Sequence, residues 1–422
     1  MNYMIIENDN IKIQMKNPII IYDLEPLLEL HKGKLFSNIL KVFINNCLEQ
    51  FGTNIFSIKK SYSRTLTNIL SGWMFSLYVD YDFSKDYFFP TNYNNVETLV
   101  TILKDMCKYD STIKNVDGKI EQVILKLKST YSNELNNMEK YKNSNLFNYN
   151  KSNYNISRTK YVNEKTNTVF YKLTITIDYI IKDKRLLNIL NNIIIPVHIY
   201  NRLEAKYTGP KNKLDEYLWG ILYRYQLLGS NNHQLAVLPS IMHQMKTDYN
   251  LDFECFASSI NSMATNYCSI YYDLERHFGS VGSFFNITPL KGTFGFNPPY
   301  QKDIITLGCT RLLELLKDSS ELSFIITIPI WDTEGRKIMK ELYNNELEKQ
   351  NIDYGDFEIM NTIRQSPFLK KINMIPKEKF TYLDHNFNLY KNRTIQNTYI
   401  LVLSNTTKNF NEIDSYNYES SQ

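Results

Sequence analysis

Few of the residue types that usually announce chemistry are arranged here to perform it. The five cysteines (Cys47, Cys107, Cys255, Cys268, Cys309) lie far apart and never in Cys-x-x-Cys spacing. That pattern argues against a disulfide framework and for reduced, intracellular thiols. The six histidines are equally scattered, none at metal-ligand spacing from another histidine, cysteine or aspartate, so no metal site is expected. Glycine is sparse, 14 in 422 residues, and no P-loop, Gly-x-Ser-x-Gly elbow or Gly-x-Gly-x-x-Gly fingerprint occurs. No apolar run approaches the roughly 20 residues of a membrane span, and no membrane association is expected. The start, Met1-Asn2-Tyr3-Met4, carries no secretion signature. A formal charge of +4 is too mild to mark a nucleic-acid binder by itself.

What is abundant is Asn, Lys, Ile and Tyr (32 tyrosines), a bias that fits an AT-rich genome. The length and the 43% apolar content suit two or three domains with real cores. Residues 17–110 read as mostly helical, with Leu27, Leu28, Leu35, Ile39, Phe43, Leu66, Ile69 and Trp73 at helical spacing. Residues 140–166 are polar and repetitive and predict a surface insertion or disordered loop. Thr168–Ile177 alternates as a strand, Asn192–Val197 is a short apolar run, and a helix is expected over Leu214–Leu228.

Strand candidates then follow at Phe253–Phe256, Phe284–Ile287, Thr293–Phe296, Phe324–Ile328 and Tyr399–Leu403, with a helix at Lys302–Lys317. Such alternation implies a mainly parallel sheet covered on both faces, which binds ligands outside the carboxyl ends of its strands. The expected division is a mainly helical domain (1–205), a connecting helix (206–232), an α/β domain (233–410) and a disordered polar tail (411–422).

One such strand end carries Asn297-Pro298-Pro299-Tyr300. An adenine amine gives its lone pair to the ring and is a poor nucleophile. Two acceptors in the ring plane, the Asn297 side-chain oxygen and the Pro298 carbonyl, can take its hydrogens and turn the lone pair outward. The prolines stiffen that turn, since each fixes its own φ and restricts the residue before it. Tyr300 would offer its ring, rather than its hydroxyl, as a stacking face for a flipped base.

A methyl donor must lie beside the amine, and Phe253-Glu254-Cys255-Phe256-Ala257-Ser258 is the best candidate for its strand end. There the Glu254 carboxylate could accept from two ribose hydroxyls, while small Ala257 and Ser258 admit close approach of the backbone. This segment precedes Asn297 by about forty residues, the length of two βα units. Asp273, Glu275 and Asn286 lie between, and one of them could bind the adenine or amino-acid part of the donor. His277 stands near them as a candidate base, although direct transfer needs alignment and a dry site more than a base.

These residues, in this order, resemble one family. Phe253-Glu254-Cys255-Phe256-Ala257-Ser258, Tyr267-Cys268-Ser269, Phe278-Gly279-Ser280, Asn297-Pro298-Pro299-Tyr300 and Leu322-Ser323-Phe324-Ile325 are similar to the phosphorylated CTD-interacting factor family of cap-specific adenosine N6-methyltransferases. The resemblance covers about Leu214 to Leu403. It implies a Rossmann-like class I methyltransferase domain packed on a helical domain, with S-adenosyl-L-methionine as cofactor. It also implies methylation of N6 of the 2′-O-methyladenosine beside the mRNA cap. By position it makes Asn297, Pro298, Pro299 and Tyr300 the catalytic motif and Phe253, Glu254, Ala257 and Ser258 the donor-side strand end. The chain departs from the family in three ways: nothing resembles its WW module, Tyr300 replaces a Phe, and Asn286 and Ile330 stand where the family carries acidic residues.

The partner implied is the single-stranded 5′ end of capped mRNA, together with viral or host capping and transcription machinery. Two basic-aromatic patches could hold its backbone, Lys59, Lys60 and Arg64 in one and Trp331, Arg336 and Lys337 in the other. Three functions remain open: cap-adjacent methylation, the same chemistry on internal or poly(A) RNA or DNA, and a non-catalytic RNA- or polymerase-binding module. The missing WW module and AT-rich character hint at a large DNA virus or a protist, with work in the cytoplasm if viral and in the nucleus otherwise.

Overall fold

The computed structural model describes residues 3–16, 24–52, 62–79, 86–108, 112–145, 147–148, 153–164, 167–181, 184–229, 234–343, 357–385, 391–393 and 396–407. The chain forms two compact units. One comprises Met1–Asn17, Asn232–Ile270 and Gly279–Gln422; the other comprises Pro18–Asn231 and Tyr271–Phe278.

The first unit is built on an eight-stranded mixed sheet. Its centre is parallel: Leu251–Glu254 pairs with Asn266–Tyr267 on one side and with the far half of Ile287–Phe296 on the other. Ile287–Phe296 pairs in parallel with Leu322–Pro329. Thr398–Ser404 then runs antiparallel between Leu322–Pro329 and Leu369–Ile375. The near half of Ile287–Phe296 takes a different partner, the antiparallel hairpin of Lys12–Lys16 and Tyr3–Glu7. The change falls at Gly292, whose φ is 122° and where a Cβ would sit 2.6 Å from the Asn10 carbonyl oxygen. The sheet is therefore mixed rather than mainly parallel. Of the expected strands, Phe284–Ile287 is instead a 3₁₀ turn (Phe284–Asn286) leading into Ile287–Phe296.

Every residue of Leu322–Pro329 is buried, as befits a central strand with both faces covered. Phe324, Ile326 and Ile328 join Phe294, Phe296 and, from helix Lys302–Asp318, Ile305, Cys309 and Leu312 in one apolar cluster. Ile325 faces the opposite cluster, with Ile241 and Met245 of helix Pro239–Tyr249 and with Phe380, Tyr382 and Val402. A small antiparallel sheet of Leu235–Val237, Tyr382–Asp384 and Lys391–Arg393 lies in this unit too.

The second unit holds long helices, among them Pro26–Phe51, Val116–Lys142 and Leu214–Leu228, and a three-stranded antiparallel sheet. The polar stretch 140–166, expected as a loop, opens with the end of Val116–Lys142, and its strand Tyr154–Asn163 pairs residue by residue with Thr168–Ile177. Most of that strand is exposed or half-exposed, so no run of apolar side chains betrays it.

The buried centre of this unit is ionic. Arg224 donates to both oxygens of Glu29 (2.8 and 2.9 Å) and both of Asp273 (2.8 and 2.7 Å). Lys32 lies between Glu29 (2.9 Å) and Asp86 (2.7 Å). Burial would raise the Asp86 carboxyl, but the charges of Lys32 and Arg224 outweigh it and hold the group down to about 2. Arg224→Leu leaves buried carboxylates without their cation and should cost on the order of 3–5 kcal/mol in urea unfolding. Because Asp86 is depressed from 3.8 to about 2, its contribution is complete above about pH 4 and is lost as pH falls toward 2. Acid unfolding followed by circular dichroism should show this loss, and Asp86→Asn should blunt it.

Candidate functional site

From Leu251–Glu254 the chain first adds Asn266–Tyr267 on one side, then returns to add Ile287–Phe296 and Leu322–Pro329 on the other. The direction of winding reverses between Leu251–Glu254 and Ile287–Phe296, and open α/β sheets bind ligands at such a reversal, outside the carboxyl ends. A cleft with about 460 Å³ of empty space, its open mouth included, lies there. Glu254, Phe256, Asn261, Met263, Asn297 and Thr327 line it, with Leu235, Ala236, Val237, Met242 and Met245 as an apolar wall. Gly295 is also in the lining, where a Cβ would sit 3.1 Å from Leu251 Cδ1.

Glu254 is half-buried, and its Oε1 accepts from the backbone N–H groups of Met263 (2.6 Å) and Ala264 (2.7 Å). A carboxylate has about four acceptor positions, so these two bonds orient the group without exhausting it. The intervening loop is tied down by its own polar atoms. Ala257 N–H donates to the Cys268 carbonyl (2.9 Å), Ser258 N–H to Asn261 Oδ1 (2.7 Å), and Ser258 Oγ to Gln234 Oε1 (2.7 Å). Phe253 is wholly buried against Phe294, ring centres 5.4 Å apart, so it supports the strand and does not face a ligand.

At the neighbouring strand end Asn297 is half-buried and Pro298 buried, and helix Lys302–Asp318 begins just beyond Tyr300. The Tyr300 hydroxyl lies 3.1 Å from Asn297 Oδ1 and 2.6 Å from the Tyr382 hydroxyl. Burial, then the Tyr382 hydroxyl beside it, push the Tyr300 phenol well above its usual range, so it stays protonated. Trp331 meets Tyr300 edge to face at 6.4 Å and donates Nε1–H to Gln396 Oε1 (3.1 Å). Helix Thr333–Tyr343, which follows, carries a half-buried Arg336 and an exposed Lys337. These three therefore follow the carboxyl end of a strand adjacent to the Asn297 strand.

Other expected residues are placed differently. Asp273 holds Arg224 in the other unit's ionic centre and is not part of this cleft. Asn286 ends the 3₁₀ turn, and its neighbours Phe284 and Phe285 pack on Phe256 (5.4 and 6.1 Å). His277 sits between the rings of Tyr207 (5.8 Å) and Tyr217 (4.7 Å), also in the other unit. Arg64 is exposed on helix Tyr62–Leu77 of that unit, and Lys59 and Lys60 lie outside the described residues. The residues that sequence reasoning did not assign are Tyr382, Asn261, Met263 and the Leu235–Val237 wall. Tyr382 is one tyrosine among 32 and stands 82 residues beyond its partner, so no local pattern marks it.

Fold and cleft together define a mixed α/β protein with a cleft at the reversal point of its sheet. Residues 197–358, which include both strand ends, match the family described as phosphorylated CTD interacting factor 1 WW domain. Over 148 residues the chain is 28% identical to the proteins named mRNA (2'-O-methyladenosine-N(6)-)-methyltransferase of Mus musculus and of Homo sapiens. Each match covers 33% of this chain and only 21% of the relative's length. Through this stretch the chain is similar to the phosphorylated CTD-interacting factor family.

Glu254→Ala removes the acceptor shared by two N–H groups while leaving the strand pairing intact. Hydrogen exchange at Met263 and Ala264 should speed up by about tenfold or more, one neutral-to-charged hydrogen bond each, with little change in the global melting temperature.

Proposed function

We propose that this protein is an S-adenosyl-L-methionine-dependent RNA adenosine N6-methyltransferase, acting on the cap-adjacent 2′-O-methyladenosine of mRNA. The observation that carries this reading is the opening of Glu254 and Asn297, at adjacent parallel strand ends, onto one cleft. The named activity of the relatives agrees with it, and the family match spans both residues. The sheet unit is then a Rossmann-like class I methyltransferase domain, a reading supported by its parallel centre and its reversal of winding beside the cleft.

The cleft fits the methyl donor in chemical terms. A half-buried carboxylate suits ribose hydroxyls, and the Leu235–Val237, Met242 and Met245 wall suits an adenine face. The bound donor supplies a methyl group on a sulfonium centre. The protein's own part is alignment. Asn297 Oδ1 and the Pro298 carbonyl take the two amine hydrogens in the plane of the base, so the nitrogen lone pair is directed out of that plane. The apolar wall excludes water, and the amine proton leaves after transfer. Trp331, Arg336 and Lys337 would hold the capped 5′ end beside Tyr300.

The test is transfer from labelled S-adenosylmethionine to matched RNAs, capped with A or G first, uncapped, and poly(A), read by nucleoside mass spectrometry. N6-methylated 2′-O-methyladenosine only in the capped, A-start RNA is the expected product. Equal methylation of uncapped RNA, poly(A) or DNA would keep the chemistry and reject the cap. Asn297→Ala should lower transfer by on the order of a hundredfold or more, with donor affinity held within a few fold. Undiminished transfer by that variant would remove Asn297 from the mechanism.

A further inference from the structure

We propose that Tyr382 and the hydroxyl of Tyr300 act as a positioning pair that fixes the rotation of the Asn297 amide, keeping its oxygen available to the acceptor amine. The inference rests on the reading of Asn297 as the group that holds that amine.

An asparagine amide has nearly the same shape in its two rotations, but one presents an acceptor where the other presents two N–H donors. An N–H turned toward an amine N–H repels it, so a site that works through Asn297 Oδ1 needs something to choose the rotation. Oδ1 carries no hydrogen, so across the 3.1 Å contact it is Tyr300 that donates. A phenol has one proton. That proton has a second acceptor in reach, the Tyr382 oxygen at 2.6 Å; the proposed arrangement is the one in which it goes to Asn297 and Tyr382 donates to Tyr300. The Thr398 hydroxyl lies 3.0 Å from that of Tyr382 and donates to the Gln396 carbonyl at 3.1 Å. Hydrogen bonds in such a run polarise one another.

Tyr382 is fully buried and paired with Val237 in the small sheet, and Thr398 is fully buried in the large one. These hydroxyls are therefore held by backbone ladders rather than by mobile loops. Burial keeps the Tyr300 phenol protonated, so it remains a donor across the working pH range. One lone pair of Oδ1 faces Tyr300 and the other is left for the amine. The motif of the family this chain resembles ends in Phe, which has no hydroxyl, so the lock is a property of this chain.

The experiment compares wild type, Tyr300→Phe, Tyr382→Phe and the double variant, all of which keep their rings. Transfer to capped, A-start RNA should show kcat reduced about tenfold in each single variant, the worth of one hydrogen bond. Donor affinity and the KM for RNA should stay within twofold, and the double variant should be little worse than either single one. An active wild type with both Phe variants at wild-type kcat overturns the proposal, as does a loss confined to KM. A parallel measurement needs no activity: urea unfolding of Tyr300→Phe, Asn297→Ala and their combination. Non-additive losses are expected if the hydroxyl bonds to the amide, and additive losses overturn the link. Should wild type transfer methyl to no nucleic acid, the proposed function falls and this cycle alone decides the pair.

Discussion

The site depends on one strand register. Leu251 pairs with Thr293, Phe253 with Phe294 and Glu254 with Gly295, in parallel. Neighbouring strands lie about 4.8 Å apart and rise about 3.3 Å per residue, so Asn297 falls about 8 Å from Glu254 along the sheet edge. That is room for a ribose and a sulfonium between the two groups. A slip of one residue would exchange the faces of the strand, sending Glu254 into the core and Phe253 into the cleft. Phe253 and Phe294 guard against it, because both are fully buried and meet edge to face with ring centres 5.4 Å apart. The core phenylalanines are thus the reason that two polar groups meet.

A second constraint links the cleft wall to the Asn297 turn. Leu235–Val237 lines the cleft, and its ladder partner Tyr382–Asp384 supplies the hydroxyl that reaches Tyr300. One short sheet therefore shapes the proposed donor wall and bears on the proposed acceptor clamp. Its own anchors are local: Arg393 donates to the buried Asp384 (2.8 Å), and His385 N–H donates to the Gln234 carbonyl (3.0 Å). Gln234 Oε1 in turn accepts from Ser258 in the Glu254 loop. Backbone and side-chain bonds run continuously from the loop of one strand end to the turn of the other.

Much of this was legible in the sequence where apolar runs are bounded by clear punctuation. The helices Leu214–Leu228 and Lys302–Asp318 and the strands Leu322–Pro329 and Thr398–Ser404 lie within a few residues of expectation, since full burial demands unbroken apolar composition. The strand Tyr154–Asn163 was hidden by its exposed, polar face. The hairpin of Tyr3–Glu7 and Lys12–Lys16 was not foreseen, being short and largely polar on one side. Asp273 was misassigned because its partner, Arg224, lies 49 residues away and nothing local shows a carboxylate already neutralised. Asn297 and Glu254 stand out in the sequence because proline stiffness and small neighbours are local signals. The hydroxyl partners of Tyr300 were missed because they come together only through tertiary pairing.

The charge pattern of the cleft follows from the same geometry. Among the described residues Glu254 is the one carboxylate in its lining, and two N–H dipoles face its Oε1. Those two bonds fix the orientation of the carboxylate at the edge of the cleft. On the proposed reading the ligand that enters is cationic and the one that leaves is not. A single, partly compensated carboxylate suits that cycle better than a strongly acidic pocket. It holds the ribose by directed hydrogen bonds, present before and after transfer alike. The attraction to the sulfonium, lost once the methyl has moved, then favours release of the product over the donor.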